Sequence, residues 1–210
     1  NSLINASLAG GYRHDEQSPL AHIDVELYDS TLYEYPLSGI VAADYEHDNL
    51  ILHQLDLLSN SVQLQAQGDL QNNIKFTLTI QQVADLYPPA TGGLTAQGWF
   101  NHGKDGSAAD LQLAGTDLTY DRWQLAALNS HLRLDIDQTL SASVQLQQLG
   151  SKDVLLLVDM IDLQVDGTLI DHQIGISAKV QETRMKSTLQ ASWSASQWTS
   201  LLQQLIIDTP

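Results

Sequence analysis

The stretch VQLQAQGDLQNNIKFTLTI, residues 62–80, decides the fold class. Val62, Leu64, Ala66, Gly68 and Leu70 alternate with Gln63, Gln65, Gln67 and Asp69. After a short polar turn, Ile74, Phe76, Leu78 and Ile80 alternate with Lys75, Thr77 and Thr79. Successive side chains of a strand point to opposite faces, so a period of two separates one apolar face from one of amides, hydroxyls and charges. The segment reads as strand, glycine, turn, strand.

The same rhythm runs outward in both directions. Towards the start, Ala21, Ile23, Val25 and Leu27 share one parity, as do Leu37, Gly39, Val41, Ala43 and Tyr45. Towards the end come Leu94, Ala96 and Gly98, then Leu111 and Leu113, then Leu132 and Leu134. Leu140, Ala142, Val144 and Leu146 follow, then Leu163 and Val165, then Ile174, Ile176 and Ala178. Roughly fifteen such segments predict an all-β architecture. Two stretches break the pattern. Gln81–Tyr87 carries Val83, Leu86 and Tyr87 at helical spacing before Pro88, and Ser196–Gln204 carries Trp198, Leu201 and Leu202, with Leu205 following, at i, i+3, i+4 and i+7. Both are expected to be short amphipathic helices, the second with Ser194 or Ser196 as N-cap and its Trp198, Leu201, Leu202 and Leu205 plugging the end of a groove.

An internal echo sets the organisation. LQAQGDLQNNIKFTLTI (64–80) and LQVDGTLIDHQIGISAKV (163–180) are similar, with a one-residue insertion at the turn. The chain is expected to be one continuous segment, 1–210, of two similar units, roughly 1–100 and 101–210, extended by stacking.

Composition narrows the function. Nine Lys+Arg against 25 Asp+Glu give a net charge of −16, which repels nucleic acid and anionic membrane surfaces. A hydrophobic fraction of 43% excludes a disordered tail, and no apolar run approaches the roughly 20 residues of a membrane helix. The absence of Cys removes disulfides and thiolate metal sites, in keeping with an oxidising or exposed compartment. The chain opens at Asn1 without a charged-then-apolar leader and closes on apolar Ile206 and Ile207, so it is expected to be a segment of something longer.

Chemistry-bearing motifs are weak. His14, His22, His47, His53, His102, His131 and His172 show no i, i+4 pair of the H-E-x-x-H kind and read as surface or turn histidines. Asp135 and Asp137 lack the glycine and terminal glutamate of a calcium loop. Gly92, Gly93 and Gly98 are followed by no lysine and open a strand, and no G-x-S-x-G elbow occurs. The expectation is a non-enzyme without cofactor or metal. The tryptophans and tyrosines read as caps on the ends of an aliphatic sheet, in preference to a sugar platform. What remains is the aliphatic face itself, dry enough for lipid acyl chains.

Several segments resemble one family. Gly167, Leu169, His172 and Ile174 are similar to the glycine–leucine–histidine strand pair of TamB-type proteins, part of the AsmA-like, bridge-like lipid-transfer group. So are Trp198, Leu201, Leu202, Leu205 and Ile207, and the 83–100 stretch with Asp85, Leu86, Pro88, Gly92, Leu94 and Gly98. The resemblance covers the chain from about Leu64 onward, with 113–136 consistent with intervening strands. It implies a periplasmic segment of a protein anchored in the bacterial inner membrane, folded as an elongated open β-groove, or β-taco, with an apolar interior. It also implies pairing with a TamA-like outer-membrane barrel protein, phospholipid transport between the membranes, and autotransporter assembly and secretion. This chain is expected to be an interior piece.

The expected acyl-chain lining is Leu64, Ala66, Ile74, Phe76, Leu78, Ile80, Leu94, Leu111, Leu113, Leu132, Leu134, Val144, Leu146, Leu163, Val165, Ile174, Ile176 and Ala178. The alternative is a chaperone-like module whose sheet edge accepts strands of unfolded outer-membrane proteins. A closed sandwich serving as a spacer is the third expectation.

Overall fold

The computed structural model describes residues 2–13, 20–32, 35–152, 154–194 and 197–210. Fourteen strands follow one another among these residues. The first half holds β1 (Ala6–Arg13), β2 (Leu20–Leu32), β3 (Tyr35–Glu46), β4 (Asn49–Ser59), β5 (Val62–Asp69), β6 (Asn73–Ile80) and β7 (Ala90–Gly103). The second holds β8 (Gly106–Tyr120), β9 (Trp123–Leu134), β10 (Thr139–Ser151), β11 (Val154–Thr168), β12 (Asp171–Val180), β13 (Thr183–Ser194) and β14 (Gln197–Asp208). All belong to one antiparallel sheet whose spatial order is the chain order, β1 to β14. Each strand pairs with the strands before and after it in sequence, and β1 and β14 do not meet, so the sheet is open.

Tight turns make this meander possible. Glu46 pairs with Asn49 across His47 and Asp48, both at positive φ, the pairing of a two-residue hairpin whose twist matches its strands. Asn60, Asp121 and Gln181 take positive φ in three more two-residue turns. The glycines of the two similar stretches share a conformation. Gly68 pairs with Ile74 and Gly167 with His172, at φ +135° and +145°, and each lies against the backbone of the next strand where a Cβ has no room. Only glycine holds both conditions at once.

Neither expected helix forms. Gln81–Tyr87 contains a single 3-10 turn, Val83–Asp85, because Pro88 and Pro89 leave no length for an α-helix. The Asp85 carboxylate fastens that turn, accepting hydrogen bonds from Asn60 Nδ2 at 2.6 Å and from Ser61 Oγ. The stretch 197–208 is strand β14, and Ser196 lies outside the described residues. The helix-like spacing there has a β explanation. Leu202 pairs with Leu189 while Gln204 pairs with Thr188, so Gln203 is an extra bulge residue. The bulge puts Leu202 and Leu205 on one face three residues apart, a separation that imitates a helix.

The single open sheet fits the expected open architecture and not the closed sandwich given as the third expectation, since no second sheet is present among the described residues. Among the described residues no large side chain is fully buried, and the buried hydrophobic residues are Ala43, Ile74, Ile80, Ala108 and Ala191.

Candidate functional site

Residues directly opposite in an antiparallel pair share a face, which allows the faces to be followed strand by strand. One row, from β1 to β14, reads Ala6, Leu27, Gly39, Leu57, Leu64, Leu78, Ala96, Leu113, Ser130, Val144, Leu163, Ile176, Ser187 and Leu205. The row beside it reads Leu8, Val25, Val41, Leu55, Ala66, Phe76, Gly98, Leu111, Leu132, Ala142, Val165, Ile174, Leu189 and Leu202. Neither row holds a charged side chain. A third row adds Ile23, Leu52, Ile74, Phe100, Leu134 and Leu140, and a fourth adds Val62, Ile80, Leu94, Leu128, Leu146, Ile161 and Ala178. From Ile74 to Ile80 the apolar band is about 20 Å wide at roughly 3.3 Å per residue.

All eighteen residues expected to line a groove fall on this face. Three residues of the expected plug, Trp198, Leu202 and Leu205, extend it along β14, whereas Leu201 pairs with Gln190 and belongs to the opposite face. The face is sheltered but not enclosed: Leu132 remains 37% exposed at its centre. Missing from the sequence reading are Leu52, Leu55 and Leu57 of β4. There LILHQLDLL loses strict alternation because His53 is a bulge residue, between Leu52 opposite Ala43 and Gln54 opposite Ala42. Leu128, Ile161 and Leu189 were also missing from the expected lining, although their parity was legible.

The other face is polar. One of its rows reads Asp56, Gln65, Thr77, Gln97, Gln112, His131, Ser143 and Gln164. Side chains link across strands: Gln97 Nε2 donates to Gln112 Oε1 at 3.0 Å, and Gln145 Nε2 to Asp162 Oδ1 at 2.9 Å. A concavity of about 730 Å³ opens along β6–β11, with Thr77, Gln97, Gln112, His131, Gln145 and Gln164 of the polar face in its lining.

Histidines also gather on the polar face. Asp44 bridges two of them, with Oδ2 2.7 Å from His53 Nε2 and Oδ1 2.5 Å from His22 Nδ1. His22 Nε2 reaches Asp24 at 2.8 Å. The Asp44 and then the Asp24 carboxylate raise the His22 pKa above its ordinary value, while hydrogen bonds from His53 and then His22 lower that of Asp44. Among the described residues no three histidine, aspartate or glutamate side chains are placed to hold a metal ion, and His14 lies outside those residues.

Aromatic side chains stand at the strand ends. Tyr12, Tyr45, Trp193 and Trp198 mark one rim and Tyr28, Tyr35, Tyr120 and Trp123 the other. Tyr87, in the turn before β7, stacks on Tyr120 with ring centroids 5.9 Å apart, and the Arg122 guanidinium lies 5.7 Å above the Trp123 ring. Tyrosine and tryptophan suit such a boundary, each offering an apolar body and a polar tip.

The geometry defines a class: an open antiparallel meander with one mainly apolar face, one polar face and aromatic rims. A family model described as TamB, N-terminal domain, matches residues 29–210, and the chain belongs to the TamB family. Comparison with curated proteins and with solved structures found no match. No helix among the described residues is long and apolar enough to cross a membrane.

Proposed function

We propose that this segment is a non-enzymatic lipid conduit in which phospholipid acyl chains lie on the apolar face and pass from strand to strand. The observation that carries the reading is the pair of central rows, which cross all fourteen strands without a charge. Acyl chains need dry surface and few oriented hydrogen bonds, and a uniform aliphatic band lets a chain slide without a deep energy well at any one strand. The polar face keeps the other side of the sheet in water. Membership of the TamB family supports a periplasmic position within a protein anchored in the inner membrane, an association with a TamA-like outer-membrane partner, and a role in outer-membrane protein assembly and secretion.

Organic extraction of the purified chain followed by mass spectrometry tests the reading. Recovery of phospholipid, lost in Leu78→Asp and Ile176→Asp variants that keep their strand spectrum, is the expected result. Lipid-free protein that instead crosslinks to extended peptides along a sheet edge would move the assignment to β-augmentation, the alternative in which unfolded outer-membrane proteins are the clients.

A further inference from the structure

The rim of β12–β14 breaks the uniformity of the apolar face. Trp193 and Trp198 sit directly opposite one another there, 51% and 54% exposed, and the Trp193 amide donates to the Ile170 carbonyl at 2.7 Å. Ile170 and Leu169 in the preceding turn are exposed as well. One row inward lies His172, paired with Ala191 on one side and Gly167 on the other. Its Nδ1 is buried and has no hydrogen-bond partner, the one such side-chain atom among the described residues. A buried polar atom with no partner costs free energy, and two exposed tryptophans beside it cost more in water. Both costs are removed by a single ligand that is apolar on one side and brings a hydrogen-bonding oxygen on the other.

We propose that this rim is a head-group station for a phospholipid. On binding, the His172 ring turns about its Cβ–Cγ bond and brings Nδ1–H out of its buried position to donate to a phosphate or glycerol-ester oxygen. Trp193 and Trp198 cover the glycerol level, and the acyl chains run inward over Ile174, Leu189 and Leu202. Tryptophan favours this boundary between apolar and wet surroundings. Acyl chains are tolerated anywhere along the rows, so this rim is where the segment distinguishes a phospholipid from a bare hydrocarbon. The inference rests on the acyl-chain reading above.

Two phospholipids carrying a photoreactive diazirine, one at the head group and one at the chain end, test it on the unaltered chain. Head-group adducts on Ile170, Trp193 or Trp198, with chain-end adducts on Ile174, Leu189 or Leu202, are expected. Chain-end adducts on the apolar face with head-group adducts elsewhere would overturn the station and leave the conduit standing. No chain-end adduct on that face would overturn both. His172→Leu is expected to weaken phospholipid binding about ten-fold while sparing a dye with no head group, as loss of one hydrogen bond to a charged or ester oxygen requires. Equal affinity in that variant would also overturn the station. Inorganic phosphate alone is expected not to compete, and competition by it would assign the site to free phosphate.

Discussion

At the scale of single residues, Asp44 shows how the polar face is tied together. Its carboxylate joins His22 of β2 and His53 of β4 across β3. His22 has a pKa raised from 6.5, so its contribution to stability is present in full below that value and lost as pH rises through the raised one. Asp44 has a pKa lowered from 3.8, so its contribution is present above that value and lost as pH falls through the lowered one. The β2–β4 unit is therefore expected to be most resistant to urea between about pH 4 and 6.5, where both groups are charged. In Asp44→Asn, the His22 resonance in an NMR titration should move back towards 6.5. A midpoint that does not shift would mean that the bridge is not populated in solution. The apolar face makes a sharper demand. Leu78→Asp sets an unpaired carboxylate among Leu64, Ala96 and their neighbours, with an expected loss of about 1–3 kcal/mol in denaturant unfolding.

Elements bring in backbone geometry. Gly68 and Gly167 stand at matching places in the two similar sequence stretches, each at positive φ against the next strand. Gly68→Val and Gly167→Val are expected to lose about 1–3 kcal/mol each, from strain and the missing space for Cβ. Gly175 faces open space on the polar side, and Gly175→Ala should leave stability unchanged or raise it by up to about 1 kcal/mol. Chemical denaturation of the three variants separates the cases, and equal losses would show that the repeat glycines are not special. β14 carries the same lesson about geometry. Trp198, Leu202 and Leu205 satisfy helical and bulged-strand spacing alike, and the choice rests on the free hydrogen-bonding edge that β13 offers.

For the whole molecule, the open sheet makes two physical demands. Far-ultraviolet circular dichroism should show strand and almost no helix, since among the described residues the exceptions to strand are turns and one 3-10 turn. The native chain should also bind a solvatochromic dye, and Leu132→Glu at the centre of the apolar face should reduce that binding several-fold. Dye bound equally well by that variant would place the accessible apolar surface elsewhere. An unenclosed face of this extent is unusual for a protein in water and is the feature on which the lipid reading depends.

The sequence by itself determined most of the strands and their parity, and with them most of the apolar side chains that share a face; the bulged strands β4 and β14 are the exceptions. Period two is a local property, fixed by backbone geometry and independent of which strand comes next. It also carried the family resemblance, since the glycine turns and the repeat are local features too. Tertiary structure decided the rest. Whether one face closes into a core, opens as a band or meets a second layer depends on pairing across the sheet, and pairing depends on neighbours far away in the chain. The bulges at His53 and Gln203 belong to this level, because an extra residue is recognisable only against the partner strand that lacks it. So does the orphaned Nδ1 of His172. In sequence His172 is one histidine among seven; only the register sets it among apolar rows, beside Trp193 and Trp198, with nothing to bond to.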